Sequence, residues 1–145
     1  MKEFCVQEIK AVFYERKSDI ELTFNNSYDV AIWLIEQIGN MVQEYLVALY
    51  LNTKNEVICF SVVHIGTINH SIAMPRDILQ RALLVNSSRI IISHNHPSGK
   101  VEPSVADKNF TKALEQACRL FSIDLLDHII VSDNDYFSFR GNGLL

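Results

Sequence analysis

Apolar and polar positions recur with two different periods along this chain, and each change of period marks a new element. From Ser27 to Asn40 a broad apolar face runs through Val30, Ile32, Trp33, Leu34, Ile35 and Ile38, which predicts a helix. Ser27 reads as its N-cap and Gly39-Asn40 as its stop. Tyr45 to Leu51 is an unbroken apolar run, too short for a good helix and rich in β-formers. It predicts a strand buried on both faces. Asn52-Thr53-Lys54-Asn55 then turns the chain into a second strand, Glu56 to Ile65.

Pro75 to Val85 predicts a short helix, with Pro at its first position and Ile78, Leu79, Ala82 and Leu83 inward. Three consecutive isoleucines within Arg89 to Ser93 suit a central strand. After a loop from His94 to Pro103 comes the strongest helical pattern of the chain. Its apolar positions Ala106, Phe110, Ala113, Leu114, Ala117, Cys118 and Phe121 recur at three- and four-residue steps. Leu125 to Val131 and Tyr136 to Phe139 predict a last hairpin around Ser132-Asp133-Asn134-Asp135. At the amino end, Lys2 to Tyr14 and Ile20 to Phe24 flank a charged turn at Glu15 to Asp19, so residues 1–26 read as a hairpin or extension. Alternating strands and helices predict an α/β fold, a sheet covered by helices on its faces.

Composition narrows the class. The 145 residues suit one domain over 1–145, since domains commonly run to about 100–150 residues. At 48 % apolar and 21 % charged, the chain has enough apolar surface to offset its entropy, which excludes disorder as a description of the whole chain. Net charge is −4 and the thirteen Lys and Arg are scattered, Glu15-Arg16-Lys17 being the densest cluster. No basic patch announces itself, which argues against nucleic acid as a partner of this chain. Cys5, Cys59 and Cys118 are odd in number and far apart, so free thiols in a reducing cytoplasm are expected. No signal peptide opens the chain and no apolar stretch approaches the ~20 residues of a membrane span. A cytoplasmic protein with no membrane partner is expected, and a homodimer is compatible with this composition.

The chemistry concentrates in His94-Asn95-His96-Pro97-Ser98-Gly99, followed by Pro103-Ser104-Val105-Ala106-Asp107. An H-x-H pair leaving a buried strand puts both imidazoles on one face, within reach of one ion. Asp107 falls in the first turn of the long helix, on the stripe of Phe110 and Leu114. It therefore points inward, at the positive end of the helix dipole. Two imidazoles and a carboxylate make three ligands of a tetrahedral site whose fourth position stays open, the catalytic pattern for zinc. The plainer alternative makes Ser104 and Asp107 only an N-cap and its capping-box acid. Joint spacing of H-x-H, seven residues, Ser, two residues and Asp at a strand-loop-helix junction favours the metal.

This H-x-H-x7-S-x2-D string resembles the JAMM motif of the JAB/MPN zinc metalloprotease superfamily. The wider HNHPSG…PS..D string resembles its RadC-like branch, as do Leu125-Leu126-Asp127-His128 and Tyr136-Phe137-Ser138-Phe139. Gly66-Thr67-Ile68-Asn69 and Pro75-Arg76-Asp77-Ile78 also look like segments of that branch. The resemblance spans roughly Glu44 to the carboxyl end. It implies a three-layer α/β/α fold with a mixed sheet, similar to the cytidine deaminases. It also implies one Zn2+ per chain on His94, His96 and Asp107, with an upstream glutamate acting on the zinc-bound water. Glu44 matches the family position. From the residues alone Glu36 and Glu56 stay open, although they suit solvated positions, whereas a charge abutting Tyr45 to Leu51 must sit at the sheet's edge or serve a site.

By resemblance the reaction is hydrolysis of a peptide or isopeptide bond in a peptide or protein substrate. Glu44 would be the general base and Ser104 Oγ the group that stabilises the oxyanion. Asn95 stands where deubiquitinating members have Ser or Thr, which counts against ubiquitin-like substrates, and Met74 stands where the branch often has His. No helix-hairpin-helix domain is expected in the residues ahead of the resemblance. His128 is either a partner orienting a ligand imidazole or a hydrogen-bonded strand histidine. His64 and His70 read as structural or exposed. The rival to an enzyme is a non-catalytic interaction module, associated with DNA metabolism, that keeps the metal site for stability.

Overall fold

The computed structural model of the chain describes residues 2–15, 26–66 and 74–145. Along them run α1 (Ser27–Ile38), β1 (Tyr45–Leu51), β2 (Val57–Ile65), α2 (Pro75–Leu84), β3 (Arg89–Asn95), α3 (Val105–Leu120), β4 (Asp124–Val131) and β5 (Tyr136–Ser138). The strands form one sheet in the order β2-β1-β3-β4-β5. Only β3 and β4 run parallel; the other neighbours are antiparallel, so the sheet is mixed.

The unbroken apolar runs are explained by helices on both faces. Alternate residues Leu46, Ala48 and Tyr50 of β1 join Ile90 and Ile92 of β3 in one core with α2 and α3. Val47, Leu49 and Leu51 face the other way, into a second core with Ile91, Ile129 and the Val30, Trp33, Leu34 and Ile38 stripe of α1. Three layers result, as the alternation of elements predicts.

Three details differ from the sequence reading, the first being that β3 runs on through His94 and Asn95, where the loop is expected to begin. The N-cap of α1 is Asn26, whose Oδ1 accepts the Asp29 N–H at 2.9 Å. Such a cap is worth ~1 kcal/mol. Ser27 instead turns its hydroxyl to Asp127 Oδ2, 3.4 Å away across the chain. Residues 2–15 carry neither helix nor strand and, Ala11 aside, are exposed, so the first arm of the expected amino-terminal hairpin does not form. Ile20 to Phe24, Thr67 to Asn69 and His70 lie outside the described residues. Cys5 is exposed, Cys59 half-buried and Cys118 buried, all three as free thiols. Among the described residues no helix is long and apolar enough to cross a membrane.

Topology brings the chemistry together. Residues leave a parallel strand at its carboxyl end, and the crossover helix starts there, which is where α/β sheets place their sites. Here that end belongs to β3, and α3 returns the chain to β4. Because β1 lies antiparallel beside β3, with Leu46 opposite His94, the residues just ahead of β1 lie at the same end.

Candidate metal centre

His94 is the penultimate residue of β3 and is 1 % exposed. His96 follows just past the strand, on the same face two residues on. Asp107, the third residue of α3, is also buried. These three side chains meet: one ligand atom from each lies within 4.8 Å of the others. His94 Nε2 and His96 Nε2 are 2.9 Å apart. Asp107 Oδ1 lies 3.3 Å from His94 Nε2, and Oδ2 lies 3.2 Å from His96 Nε2. Ligands about 2.0–2.1 Å from a tetrahedral zinc stand roughly 3.3 Å from one another, so the spacing fits a first-row ion.

The outward nitrogens decide which atoms face inward. His96 Nδ1 is 2.7 Å from the Lys100 carbonyl, an acceptor with no proton to give, so Nδ1 carries the hydrogen. Nε2 then turns its lone pair to the centre. His94 Nδ1 is 2.7 Å from His128 Nε2. Asp107 is held by a complete capping box: its N–H donates to Ser104 Oγ at 3.0 Å, and the Ser104 N–H donates to Asp107 Oδ2 at 2.9 Å. Lone pairs and carboxylate oxygens therefore converge in a buried spot and require a cation or a shared proton between them. A divalent ion satisfies all of them at once.

Protonation follows from the same contacts. Burial pushes the Asp107 carboxyl up, but hydrogen bonds with His94 and His96, the charge of His94 and the Ser104 N–H hold it well below the usual range. The hydrogen bond to Asp107 raises His96 above its ordinary value, against the opposing effect of burial. Since the ligand imidazole must be neutral, protons compete with the metal for His96. As pH falls, apparent zinc affinity is therefore expected to decline from above pH ~6.5, before a free histidine would be half-protonated. Competition against a chelator across pH 5.5–8 measures this; affinity flat down to pH ~6 contradicts it.

Glu44 is half-buried, directly ahead of β1. Continuing the register of Leu46 with His94 sets Glu44 opposite His96, and its charge contributes to raising the His96 pKa. Its backbone is braced on both sides. The Gly66 N–H donates to the Glu44 carbonyl at 2.8 Å. Asn95, fully buried between the two histidines, accepts the Tyr45 N–H at 2.7 Å and donates to the Met41 and Gln43 carbonyls at 3.2 and 2.9 Å. A depression of about 320 Å³ opens beside His96, lined by Asn40, Met41, Pro97, Ser98 and Asp133 among others.

Comparison with known proteins agrees with this arrangement. The family model of the RadC-like JAB domain matches residues 24–144, which contain every residue of the centre. The chain belongs to the RadC-like JAB domain family. A UPF0758 protein of Streptococcus suis is 45 % identical over 139 residues, covering 92 % of this chain and 56 % of that protein. One from Pelodictyon phaeoclathratiforme is 45 % identical over 117 residues, 81 % of this chain and 53 % of its own length. A third, from Enterococcus faecalis, is 44 % identical over 115 residues, with 79 % and 50 % covered. This RadC-like JAB domain thus spans about half the length of the curated relatives it matches, and their shared name states no activity.

Within the RadC-like JAB domain the residues singled out from the sequence divide clearly. His94, His96 and Asp107 converge, with Ser104 beside them through the capping box and Glu44 at the same end of the sheet. Glu36 lies on α1 and Glu56 in the β1–β2 turn, at the far end of β1. Both alternatives for His128 hold together: it is a fully buried strand histidine, and it is bonded to a histidine of the centre. His64 lies in β2, half-buried. The sequence reading gives no structural part to Asn95, which braces the Glu44 segment, or to Thr111, whose Oγ1 lies 2.5 Å from His128 Nδ1. Asn95 had the better signal, because a buried amide between two histidines must find three hydrogen bonds.

Proposed function

We propose that this domain is a zinc-dependent hydrolase that cleaves a peptide or isopeptide bond in a peptide or protein substrate. The observation that supports it most is the convergence of two imidazole nitrogens and one carboxylate at the carboxyl end of β3, with Glu44 beside them. Three protein ligands leave the fourth position of a tetrahedral site for chemistry, whereas structural zinc sites are closed by four. The depression beside His96 offers an approach for an extended chain.

Zinc in this site would supply a Lewis acid and lower the pKa of water toward ~7. The remaining work falls to the chain's own residues. Glu44 Oε accepts the proton of the attacking water and returns it to the leaving nitrogen, so one carboxylate serves as base and then acid. Ser104 Oγ already accepts the Asp107 N–H, and the cap does not use its hydroxyl proton. That proton is available to a carbonyl oxygen as negative charge develops. Asp107 and His96 stay oriented through Ser104 and Lys100, so little reorganisation is needed on binding.

The test is cleavage of a diverse quenched-fluorescent peptide library by untagged protein. Cleavage that a chelator abolishes and zinc restores is the expected result. A zinc-loaded protein that cleaves no member, and raises only its melting temperature on metal binding, would leave a structural metal site in an interaction module.

A further inference from the structure

Behind the metal centre lies a row of polar side chains sealed inside the core. His128 is fully buried in β4, and its ring stacks on Phe139 at 4.5 Å with the planes 10° apart. Its Nε2 is 2.7 Å from His94 Nδ1, and its Nδ1 is 2.5 Å from Thr111 Oγ1. Thr111 Oγ1 donates to the Asp107 carbonyl, one turn back on α3, at 2.7 Å.

The direction of each bond follows from the last one. A carbonyl can only accept, so the single hydroxyl proton of Thr111 is committed to Asp107. Thr111 Oγ1 can then only accept from His128, which places a hydrogen on His128 Nδ1. In a neutral ring the other nitrogen is left with a lone pair, so His128 Nε2 accepts from His94 Nδ1–H. His94 must in turn present a bare Nε2, the atom that faces His96 and Asp107. Every buried polar atom in the row has a partner, and the row ends on the backbone of Asp107. It thus joins the residue supplied by β3 to the residue supplied by α3, through β4.

We infer that His128, backed by Thr111, is a positioning residue of the metal centre: it fixes His94 as the Nδ1–H tautomer and aims its Nε2 lone pair at the ion. This rests on the zinc reading of the site given above. A core position that needed only packing would hold an apolar side chain, since a buried imidazole or hydroxyl without a partner is destabilising. The row also ties the position of His94 to that of Asp107. Partners of this kind change metal affinity by ~10–100-fold when removed.

Two measurements on the full chain test it. Long-range proton–nitrogen NMR spectra of the zinc-loaded protein should show both His94 and His128 carrying their hydrogen on Nδ1. Chelator competition should give His128→Phe, which keeps the stack on Phe139, a zinc affinity ~10–100-fold below wild type. Thr111→Val should fall in the same direction by less, and His128→Gln, which restores an acceptor for His94, should recover part of the loss. A folded His128→Phe that binds zinc within twofold of a tight-binding wild type overturns the positioning role and leaves the zinc site standing. A hydrogen on His128 Nε2 overturns it as well, even if the Phe variant fails to fold. Wild-type protein that takes up no zinc overturns both readings together.

Discussion

Asp107→Asn is expected to weaken zinc binding by well over the ~10–100-fold that loss of an outer hydrogen-bond partner costs, because it removes the only anionic ligand. Asparagine is the informative replacement. Its oxygen can still accept the Ser104 N–H, now at 2.9 Å from Asp107, so the capping box and the start of α3 survive. What disappears is the charge that faces His94 Nε2 at 3.3 Å and His96 Nε2 at 3.2 Å. Loss of zinc by a folded variant, with its melting temperature near that of the metal-free wild type, would assign the carboxylate to the metal. Undiminished zinc affinity would return Asp107 to the plainer role of a capping acid.

Glu44→Gln is expected to do the opposite: keep the metal and lose hydrolysis. Glu44 supplies no atom to the triad of converging ligands, so zinc stoichiometry and affinity should stay close to wild type. Proton transfer by a positioned side chain contributes ~10²–10⁴-fold, and the amide cannot accept the proton at all. A loss of that order in the rate of peptide cleavage, with the variant fully metallated, is the predicted result. Full activity in Glu44→Gln would take the residue out of the mechanism and reopen the search among the acids of this end of the sheet. Asp133, on the rim of the depression beside His96, would be the next to replace.

Much of this was legible before the fold was. The spacing of His94, His96, Ser104 and Asp107 carried the centre because strand and helix periodicities fix where those side chains point. Period-two alternation puts His94 and His96 on one face; the stripe from Asp107 through Phe110 to Leu114 turns the carboxylate inward. The β-rich run Tyr45 to Leu51 correctly announced a strand covered on both sides. Glu44 was harder to place, since its nearness to His96 depends on β1 lying antiparallel beside β3, and pairing partners are not written in either strand alone.

Other features were hidden for physical reasons. Ser27 and Asn26 are both good capping residues, and only the backbone decides which of them sits in the extended conformation at the helix start. Asn95 looked like a substitution within a motif. Its three bonds to the Met41–Tyr45 segment join residues about fifty positions apart, beyond the reach of any local pattern. Thr111 is a helix residue whose hydroxyl bonds to the carbonyl four residues back, a common local habit. Nothing in the sequence shows that the same oxygen receives the His128 ring.

The most direct test of the centre is elemental mass spectrometry on untagged protein, purified without chelator and then offered zinc. About one tightly held zinc per chain, falling to none in Asp107→Asn and unchanged in Glu44→Gln, is the expected result. Wild-type protein that holds no zinc after reconstitution would contradict it, because His94, His96 and Asp107 would then not act as a metal site and the hydrolase reading would fall with them.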